Sequence, residues 1–332
     1  GLSDGRIIEL IIKDTKGRPD VGTSAMEELI LTEKVDIVTG GISSSVAWAA
    51  AAVAQQRKVP FLINTASADK ITEQGWRYVF RLNPPVSEYP KTLSSFLKGV
   101  AHVKTAAVLY ENSFFGLVGL KRFLRQCEEL GLDVTMKESY ESGASDLSLL
   151  LFQIKDAAPD LLHMVSQSSD ASLLIEQAKT LQVSPKLFLG NSPAYTSPQF
   201  KTYAGEASEY VYAQTLWSPT VPYPGVKKYH DTFVKKYQSE PDYHGAQAYA
   251  SMYVIADALK RAKALTAKGI RDALAETDTM TIFGPVKFVS YDKKTQQNKL
   301  PTYLVQWING KLETVWPREV ATARYIYPFP RD

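Results

Sequence analysis

The sequence has little cysteine, little histidine and almost no excess charge. A single cysteine, Cys127, excludes an internal disulfide. The four histidines are spread along the chain without the spacing of metal ligands. Net charge is +3, from 38 basic and 35 acidic residues, with no long basic run and no stripe of basic and aromatic residues. Nucleic-acid binding is therefore not predicted.

Long apolar runs and common enzyme motifs are missing as well. No stretch approaches the roughly 20 apolar residues that a membrane-spanning helix needs. There is no Walker loop and no Gly-x-Gly-x-x-Gly after a strand, and Gly41-Ile-Ser-Ser-Ser45 is not the Gly-x-Ser-x-Gly turn of hydrolases. The opening residues Gly1-Leu-Ser-Asp-Gly-Arg6, which precede a strand-like run, do not have the pattern expected of a signal peptide. We predict that the protein is not an enzyme and binds no cofactor or metal.

What the sequence does contain is one repeated pattern: an apolar strand, a polar turn and an amphipathic helix. Such alternation predicts an α/β fold with parallel sheets covered by helices on both faces, and ligands in such sheets bind at the carboxyl ends of strands. The predicted strands are Ile7–Ile12, Val35–Thr39, Phe61–Ile63, Tyr78–Arg81, Thr105–Tyr110, Leu161–Val165, Leu187–Leu189 and Val211–Leu216.

The segment from Leu117 to Leu130 shows the helical pattern well. Its apolar residues recur at helical spacing, and Gly131 follows as a stop. Cys127 lies on the apolar face of this helix, so we interpret it as a core residue and not as a nucleophile. His163 lies within an apolar strand and is interpreted in the same way.

A candidate ligand clamp follows two neighbouring strands. Asp36-Ile-Val-Thr-Gly-Gly41 is followed by Ser43-Ser-Ser45 and an alanine-rich helix that ends near Arg57. Serines at a helix start are good N-caps, and the free N–H groups and positive dipole end can also hold an anion. The next strand ends in Asn64-Thr-Ala-Ser67. Two strand ends are thus predicted to converge on one carboxylate.

Three interruptions of the repeat predict two lobes between which the chain crosses three times. These are Asn83-Pro-Pro85, Ser218–Pro224 and the polar stretch Tyr291–Asn298. The predicted division is residues 1–83 plus 219–290 for lobe 1, residues 84–217 plus 293–316 for lobe 2, and a C-terminal tail of residues 317–332.

From Gly5 to about Tyr327 the chain resembles the extracytoplasmic solute-binding proteins of branched-chain amino-acid (Leu/Ile/Val) ABC importers. The order and spacing of several segments carry the resemblance. They are Gly5-Arg-Ile-Ile-Glu-Leu10 with Asp14, Val35-Asp-Ile-Val-Thr-Gly-Gly-Ile-Ser-Ser-Ser45, Val59-Pro-Phe-Leu-Ile-Asn-Thr-Ala-Ser67, Phe80-Arg-Leu82, Tyr110-Glu-Asn-Ser-Phe-Phe-Gly116, Ala204-Gly-Glu-Ala207, Phe283-Gly-Pro-Val-Lys-Phe288 and Gln297-Asn-Lys-Leu-Pro-Thr-Tyr-Leu-Val-Gln-Trp-Ile-Asn-Gly-Lys311.

The resemblance implies the type I periplasmic binding protein fold: two Rossmann-like lobes joined by a three-strand hinge that close on a small ligand. In lobe 1, Ser44 matches the serine that holds the ligand carboxylate, and Thr65 and Ser67 match positions that donate backbone and hydroxyl hydrogen bonds to it. Ser45 and Ala66 are included in this predicted site.

In lobe 2 the resemblance implies a second set of ligand contacts. Phe115 and Gln167 match positions where the family usually presents tyrosines, and the loop from Asn191 to Tyr195 is expected to cover the ligand. Ser192 stands where amino-acid binders place a glutamate that pairs with the α-ammonium group. The predicted ligand-binding residues are therefore Ser44, Ser45, Thr65, Ala66, Ser67, Phe115, Gln167, Ser192 and Tyr195.

The serine at position 192 leaves two interpretations of the ligand open. A buried ammonium without a counter-charge costs several kcal/mol. The ligand is either an amino acid whose ammonium pairs with Glu111 or Asp170, or an aromatic or aliphatic acid without an amine. The aromatic residues Trp48, Phe115, Tyr195 and Trp217 favour the second. Asp170 has the alternative role of capping the helix that follows it.

The resemblance implies a monomeric, periplasmic or otherwise extracytoplasmic protein that delivers a small carboxylate to a membrane permease driven by ATPase subunits. The alternative is a ligand-binding sensor domain of the same fold, for which a stable dimer would be expected. Family members carry a strand and a helix ahead of the segment that matches Ile7–Ile12. We therefore expect the natural protein to be longer by about 30 to 45 residues and a signal peptide.

Overall fold

The chain divides into two units in a computed structural model, which describes residue 5 and residues 7–191 and 193–330. Unit 1 comprises the chain up to Tyr89 together with Tyr223–Tyr229 and Tyr243–Pro301. Unit 2 comprises Pro90–Pro222, His230–Asp242 and the chain from Thr302 onward. The sequence prediction ended lobe 1 at residue 290 and treated residues 317–332 as a separate tail. The contacts instead place residues 291–301 in unit 1 and residues 317–330 in unit 2.

Helices and strands alternate along most of the chain. The helices are α1 Pro19–Leu31, α2 Ser44–Arg57, α3 Tyr89–Phe96, α4 Phe114–Leu130, α5 Ser148–Ala157, α6 Ser168–Thr180, α7 Pro198–Ala204, α8 Val226–Tyr237, α9 Tyr243–Arg261 and α10 Ala267–Ala275. The strands are β1 Val38–Gly40, β2 Phe61–Ile63, β3 Val79–Arg81, β4 Thr105–Glu111, β5 Asp133–Tyr140, β6 Leu161–Val165, β7 Leu187–Asn191, β8 Tyr212–Thr215, β9 Asp278–Thr281, β10 Gly284–Tyr291, β11 Lys294–Asn298, β12 Tyr303–Ile308 and β13 Lys311–Trp316.

The sheet of unit 1 has the strand order β1-β2-β3-β11-β10-β9. Strands β1, β2, β3 and β11 are parallel to one another, β10 pairs antiparallel with β11, and β9 pairs antiparallel with β10. One face of β1, β2 and β3 is covered by the small side chains of α2, including Ala47, Ala51 and Ala54. Because alanine lets the helix approach closely, the start of α2 lies near the carboxyl ends of β1 and β2.

The sheet of unit 2 has the order β13-β12-β8-β7-β6-β4-β5, parallel from β8 to β5. Alternate residues of its strands enter two separate cores. Ala107 and Leu109 of β4 belong to one core, and Ala106 and Val108 belong to the other. Since successive side chains point to opposite faces of a strand, this alternation shows that both faces are buried. The predicted α/β class with helix-covered parallel sheets is confirmed.

One predicted strand is wrong. Residues 7–12 form no strand, and Ile7, Leu10 and Ile12 are 86%, 62% and 78% exposed. A strand requires a neighbour for its backbone N–H and C=O groups, and within the described residues this segment pairs with none. Apolar β-branched composition alone was therefore insufficient to predict a strand here. The stretch Tyr291–Asn298, predicted as an interruption, forms the turn and second strand of the β10–β11 hairpin.

Candidate functional site

The junction between β1 and α2 depends on two glycines. Gly40 and Gly41 have φ angles of +138° and +91°, which residues with a Cβ rarely adopt. A Cβ at Gly41 would also lie 3.1 Å from the Cβ of Ala47. These glycines let the chain turn sharply from the strand end into the helix, which begins at Ser44.

The first turn of α2 presents donors at this strand end. The N–H of Ala47 donates to the carbonyl of Ser43 at 2.9 Å, so the amides of Ser44, Ser45 and Val46 precede the first intrahelical bond. The hydroxyls of Ser43 and Ser45 contact each other at 3.0 Å. Together with the helix dipole, these N–H groups create a positive potential suited to an anion.

The segment Thr65–Ala68 after β2, here called segment 65–68, lies against this turn. The N–H of Ala66 donates to the carbonyl of Gly41 at 2.8 Å, and the N–H of Ala68 donates to Oγ of Ser44 at 3.2 Å. The structure therefore brings the predicted lobe 1 residues to one edge of the unit 1 sheet.

The hydrogen bonds decide which groups in unit 1 can still donate. Oγ of Ser44 accepts from Ala68 and keeps its own proton for another acceptor. The N–H of Ser67 has no partner among the residues that the structure describes, and Ser67 is partly exposed. The hydroxyl of Thr65, in contrast, donates to Oε1 of Gln247 at 2.8 Å. The resemblance implied that the Thr65 hydroxyl donates to the ligand, and in this structure its proton is already engaged.

In unit 2, Phe115 and Gln167 follow the carboxyl ends of β4 and β6. Phe115 lies in the first turn of α4 and is 38% exposed. That helix is capped by Ser113, whose hydroxyl accepts from the N–H of Gly116 at 3.2 Å. Gln167 is exposed at the start of α6, and its N–H donates to Oε2 of Glu111 at 3.2 Å. Both residues thus lie at the same edge of the unit 2 sheet.

Two buried carboxylates lie near Gln167 in unit 2. Glu111 is 4% exposed and accepts the Gln167 N–H. Asp170, 3% exposed in the first turn of α6, accepts the N–H of Gly143 at 3.1 Å. Both of the predicted ammonium partners therefore lie near the carboxyl edge of this sheet.

Tyr195 does not lie where the sequence placed it. Its side chain is completely buried in the core of unit 2, with its hydroxyl 3.0 Å from Oγ of Ser166. The Tyr195 ring packs against Gly190, where a Cβ would lie 2.1 Å from it. Burial raises the pKa of this phenol well above its usual range. Tyr195 is therefore a core residue of unit 2, and Ser192 lies outside the described residues.

The other aromatic residues singled out for the ligand lie largely in cores. Trp217 is 3% exposed. Trp48 packs against the unit 1 core, with its ring 5.2 Å from that of Trp76. Phe115 is exposed and Trp48 is partly exposed, whereas Tyr195 and Trp217 are buried. Aromatic composition is thus weaker support for an aromatic ligand than it was at the level of sequence.

Sequence reasoning missed three polar residues that bind segment 65–68 from behind. Arg81, Asn83 and Gln247 are all 0% exposed and donate to this segment or accept from it. A signal existed, because a charged residue within the apolar run Val79-Phe-Arg-Leu82 must find buried partners. Gln247 lies on the buried face of α9 and gave no comparable sign.

The described part of the chain holds no group of three or more His, Cys, Asp and Glu side chains that could ligate a metal ion. None of its helices has the length and apolarity required to cross a membrane.

Comparisons with known proteins agree with this architecture. The family model described as periplasmic binding protein matches residues 1–311. The Leu/Ile/Val-binding protein homolog 7 of Brucella melitensis is 27% identical over 314 residues, which cover 90% of this chain and 79% of that protein.

Solved structures show the same fold. The branched-chain amino acid transporter substrate binding protein LivJ from Streptococcus pneumoniae, in complex with isoleucine, is 25% identical with a TM-score of 0.72, covering 96% of this chain and 90% of LivJ. A second solved structure is a solute binding protein of an ABC transporter from Rhodopseudomonas palustris, in complex with 3,4-dihydroxy benzoic acid. It is 21% identical with a TM-score of 0.70, and the match covers 93% of this chain and 85% of that protein.

Proposed function

Because this chain belongs to the periplasmic binding protein family, we propose that it is the extracytoplasmic substrate-binding component of an ABC importer and captures a small carboxylate by hinge closure. The observation that carries the proposal is in unit 1. There the first turn of α2 and segment 65–68 meet at one sheet edge, with the Ser44 hydroxyl and the Ser67 N–H available to donate. Convergent donors at a helix N-terminus favour a carboxylate.

We further propose an acid without an α-amine as the cargo. Position 192 carries serine where the resemblance implies an ammonium-binding glutamate. The second candidate, a branched-chain amino acid, is favoured by Glu111, a buried carboxylate beside the exposed Gln167. A relative from Streptococcus pneumoniae was solved with isoleucine and one from Rhodopseudomonas palustris with 3,4-dihydroxy benzoic acid. Both chemistries therefore occur on this fold.

The first experiment is native mass spectrometry of the purified protein, followed by denaturation and identification of any released molecule. Calorimetric titration with L-leucine, benzoate and 3,4-dihydroxybenzoate then ranks the two chemistries. Tighter binding of an amine-free acid supports the proposed cargo. Preference for L-leucine would favour the second candidate, and Glu111→Gln should then weaken leucine binding. Binding of no carboxylate would contradict the proposal.

A serine variant tests the carboxylate contact itself. Ser44→Ala removes a hydroxyl donor to a charged group, so affinity for the bound acid should fall by roughly tenfold or more. Ser148 is the matched control, since it is likewise the first residue of its helix but lies in unit 2 on α5. Ser148→Ala should leave affinity unchanged. Equal affinities for the Ser44→Ala protein and the unmodified protein would place the carboxylate elsewhere.

A further inference from the structure

The carbonyl groups of segment 65–68 are bound by donors from the interior of unit 1. Nδ2 of Asn83 donates to the carbonyl of Thr65 at 2.6 Å. Nη1 of Arg81 donates to the carbonyls of Ala66 at 3.4 Å and Ala68 at 2.6 Å. Two side chains, Arg81 at the end of β3 and Asn83 just after it, thus fix three carbonyls of one short segment.

A closed ring of three hydrogen bonds joins Thr65, Asn83 and Gln247, and the donor and the acceptor of each bond can be assigned. The Thr65 carbonyl can only accept, so the group of Asn83 that faces it is the amide nitrogen. Oδ1 of Asn83 then accepts from Nε2 of Gln247 at 2.7 Å, and Oε1 of Gln247 accepts from the Thr65 hydroxyl at 2.8 Å. The proton of Thr65 is therefore committed to the ring.

Arg81 is held rigidly behind the segment. Its Nε donates to Oε1 of Gln297 at 2.6 Å, and its Nη2 donates to Oγ1 of Thr72 at 3.0 Å. Burial lowers the pKa of Arg81 to about 10, so the guanidinium remains charged at neutral pH. It thus contributes a fixed positive charge and a rigid fork that a lysine would not reproduce.

We propose that Arg81, Asn83 and Gln247 are positioning residues of the unit 1 site: they hold segment 65–68 in place from the interior, and they commit the Thr65 hydroxyl to their own ring so that it does not donate to a bound carboxylate. In a trans peptide the C=O and N–H groups point in opposite directions. Binding of the Ala66 carbonyl by Arg81 therefore directs the Ser67 N–H away from the guanidinium. This inference depends on the proposed function for its ligand.

The positioning role can be tested without any ligand, by amide hydrogen exchange measured with NMR. In Arg81→Lys and in Gln247→Met, the amides of Ala66 and Ala68 should exchange about tenfold faster, because each variant removes hydrogen bonds that hold the segment. Gln126→Met is the control, since Gln126 is also a buried helical glutamine that donates to two acceptors, but in unit 2.

The outcomes of the exchange experiment are distinct. Faster exchange confined to segment 65–68 and its partners supports the positioning role, and Gln126→Met should leave these amides unchanged. Unchanged rates at Ala66 and Ala68 would overturn it. Uniformly faster exchange across unit 1 in both variants would also overturn it, because the residues would then serve general stability. If Arg81→Lys does not fold, the exchange rates of Ala66 and Ala68 in Gln247→Met decide between these outcomes.

Affinity for the carboxylate that binds, with benzoate and L-leucine as probes, tests the donor assignment. Thr65→Val removes one hydrogen bond of the ring, and Gln247→Met removes that bond together with the bond to Asn83. Gln247→Met should therefore weaken binding at least as much as Thr65→Val, and the double variant should weaken it no further than Gln247→Met alone. Thr65→Ser keeps the hydroxyl and should restore affinity. Additive losses in the double variant would show that the Thr65 hydroxyl contacts the ligand directly. Absence of binding by either probe in the unmodified protein would count against the proposed function, while the exchange result still decides the positioning role.

Discussion

His163 on β6 is a partly buried histidine that packs against the core of unit 2. Its ring stacks on Phe123 with centroids 4.2 Å apart, and Nδ1 lies 3.1 Å from the carbonyl of Leu189. Burial lowers the pKa of His163 from 6.5 to about 4. In the unfolded chain the imidazole takes up a proton near pH 6.5, whereas the folded chain resists protonation until about pH 4. Acidification through this window therefore favours unfolding.

Between pH 7 and pH 5 this linkage should lower the free energy of unfolding by about 2 kcal/mol. Urea denaturation at both pH values measures the loss in the unmodified protein and in His163→Gln, which cannot titrate there. The variant should lack this part of the pH dependence, whatever its stability at pH 7. The exposed His102 supplies the control, because His102→Gln should retain the dependence. An identical pH dependence in His163→Gln and the unmodified protein would contradict the prediction.

Cys127 should be chemically inert in the folded protein. It lies on the core-facing side of α4 and is 1% exposed, and burial raises the pKa of its thiol to about 12. The reactive thiolate is therefore scarce and shielded. We expect a thiol reagent such as DTNB at pH 8 to leave the native chain unlabelled and to titrate one thiol per chain in guanidinium chloride. Fast labelling of the native protein would show that this core opens readily.

At the residue scale, the ligand-binding residues predicted from the sequence remain a prediction, and the structure adds that the proton of one of them, Thr65, is already engaged. Ser44 and Ser67 could be singled out because each follows a strand with a nearby helix start or turn. The commitment of the Thr65 hydroxyl could not, because its acceptor, Gln247, is 182 positions away in the sequence. Spacing along the chain contains no information about such a partner, and only the packed unit brings it within reach.

At the scale of elements, buried strands could be predicted from the sequence better than exposed ones. Strands β2 and β6 have the predicted bounds. The residues of β2 are apolar and buried throughout, and those of β6 are apolar and buried except for His163. Strand β5, Asp133–Tyr140, was missed because it is an edge strand with mostly exposed polar residues. The run Ile7–Ile12 is the opposite case: it was predicted as a strand because of its composition, but it forms none and has no neighbouring strand among the described residues.

Helix α10 offers a test of local capping away from the candidate site. Oγ1 of Thr266 accepts from the N–H of Gly269 at 3.1 Å and satisfies one of the free amides at the helix start. Thr266→Ala should lower the free energy of unfolding by about 1 kcal/mol. Thr266→Ser keeps the acceptor and should recover most of that loss. Urea denaturation measures both, and equal stability of Thr266→Ala and the unmodified protein would show that the cap is unimportant.

At the scale of the molecule, each core is assembled within one unit. The core that contains Met26, Val38 and Ile63 belongs to unit 1, and the two cores on the faces of the second sheet belong to unit 2. Units with separate cores can change their relative orientation without losing internal packing. This is the physical requirement for the proposed capture by hinge closure.

Closure makes a prediction about the shape of the molecule in solution. A ligand that contacts both units shifts the population toward the closed form by its differential affinity for that form. With a saturating concentration of the acid that binds, small-angle X-ray scattering should therefore record a smaller radius of gyration, and the protein should remain a monomer in sedimentation velocity. In Ser44→Ala, the same ligand concentration should produce a smaller change because the affinity is lower. A radius of gyration that stays constant at demonstrated saturation would contradict closure. A stable dimer without ligand would favour the sensor, because a transport component is expected to meet its permease as a single copy.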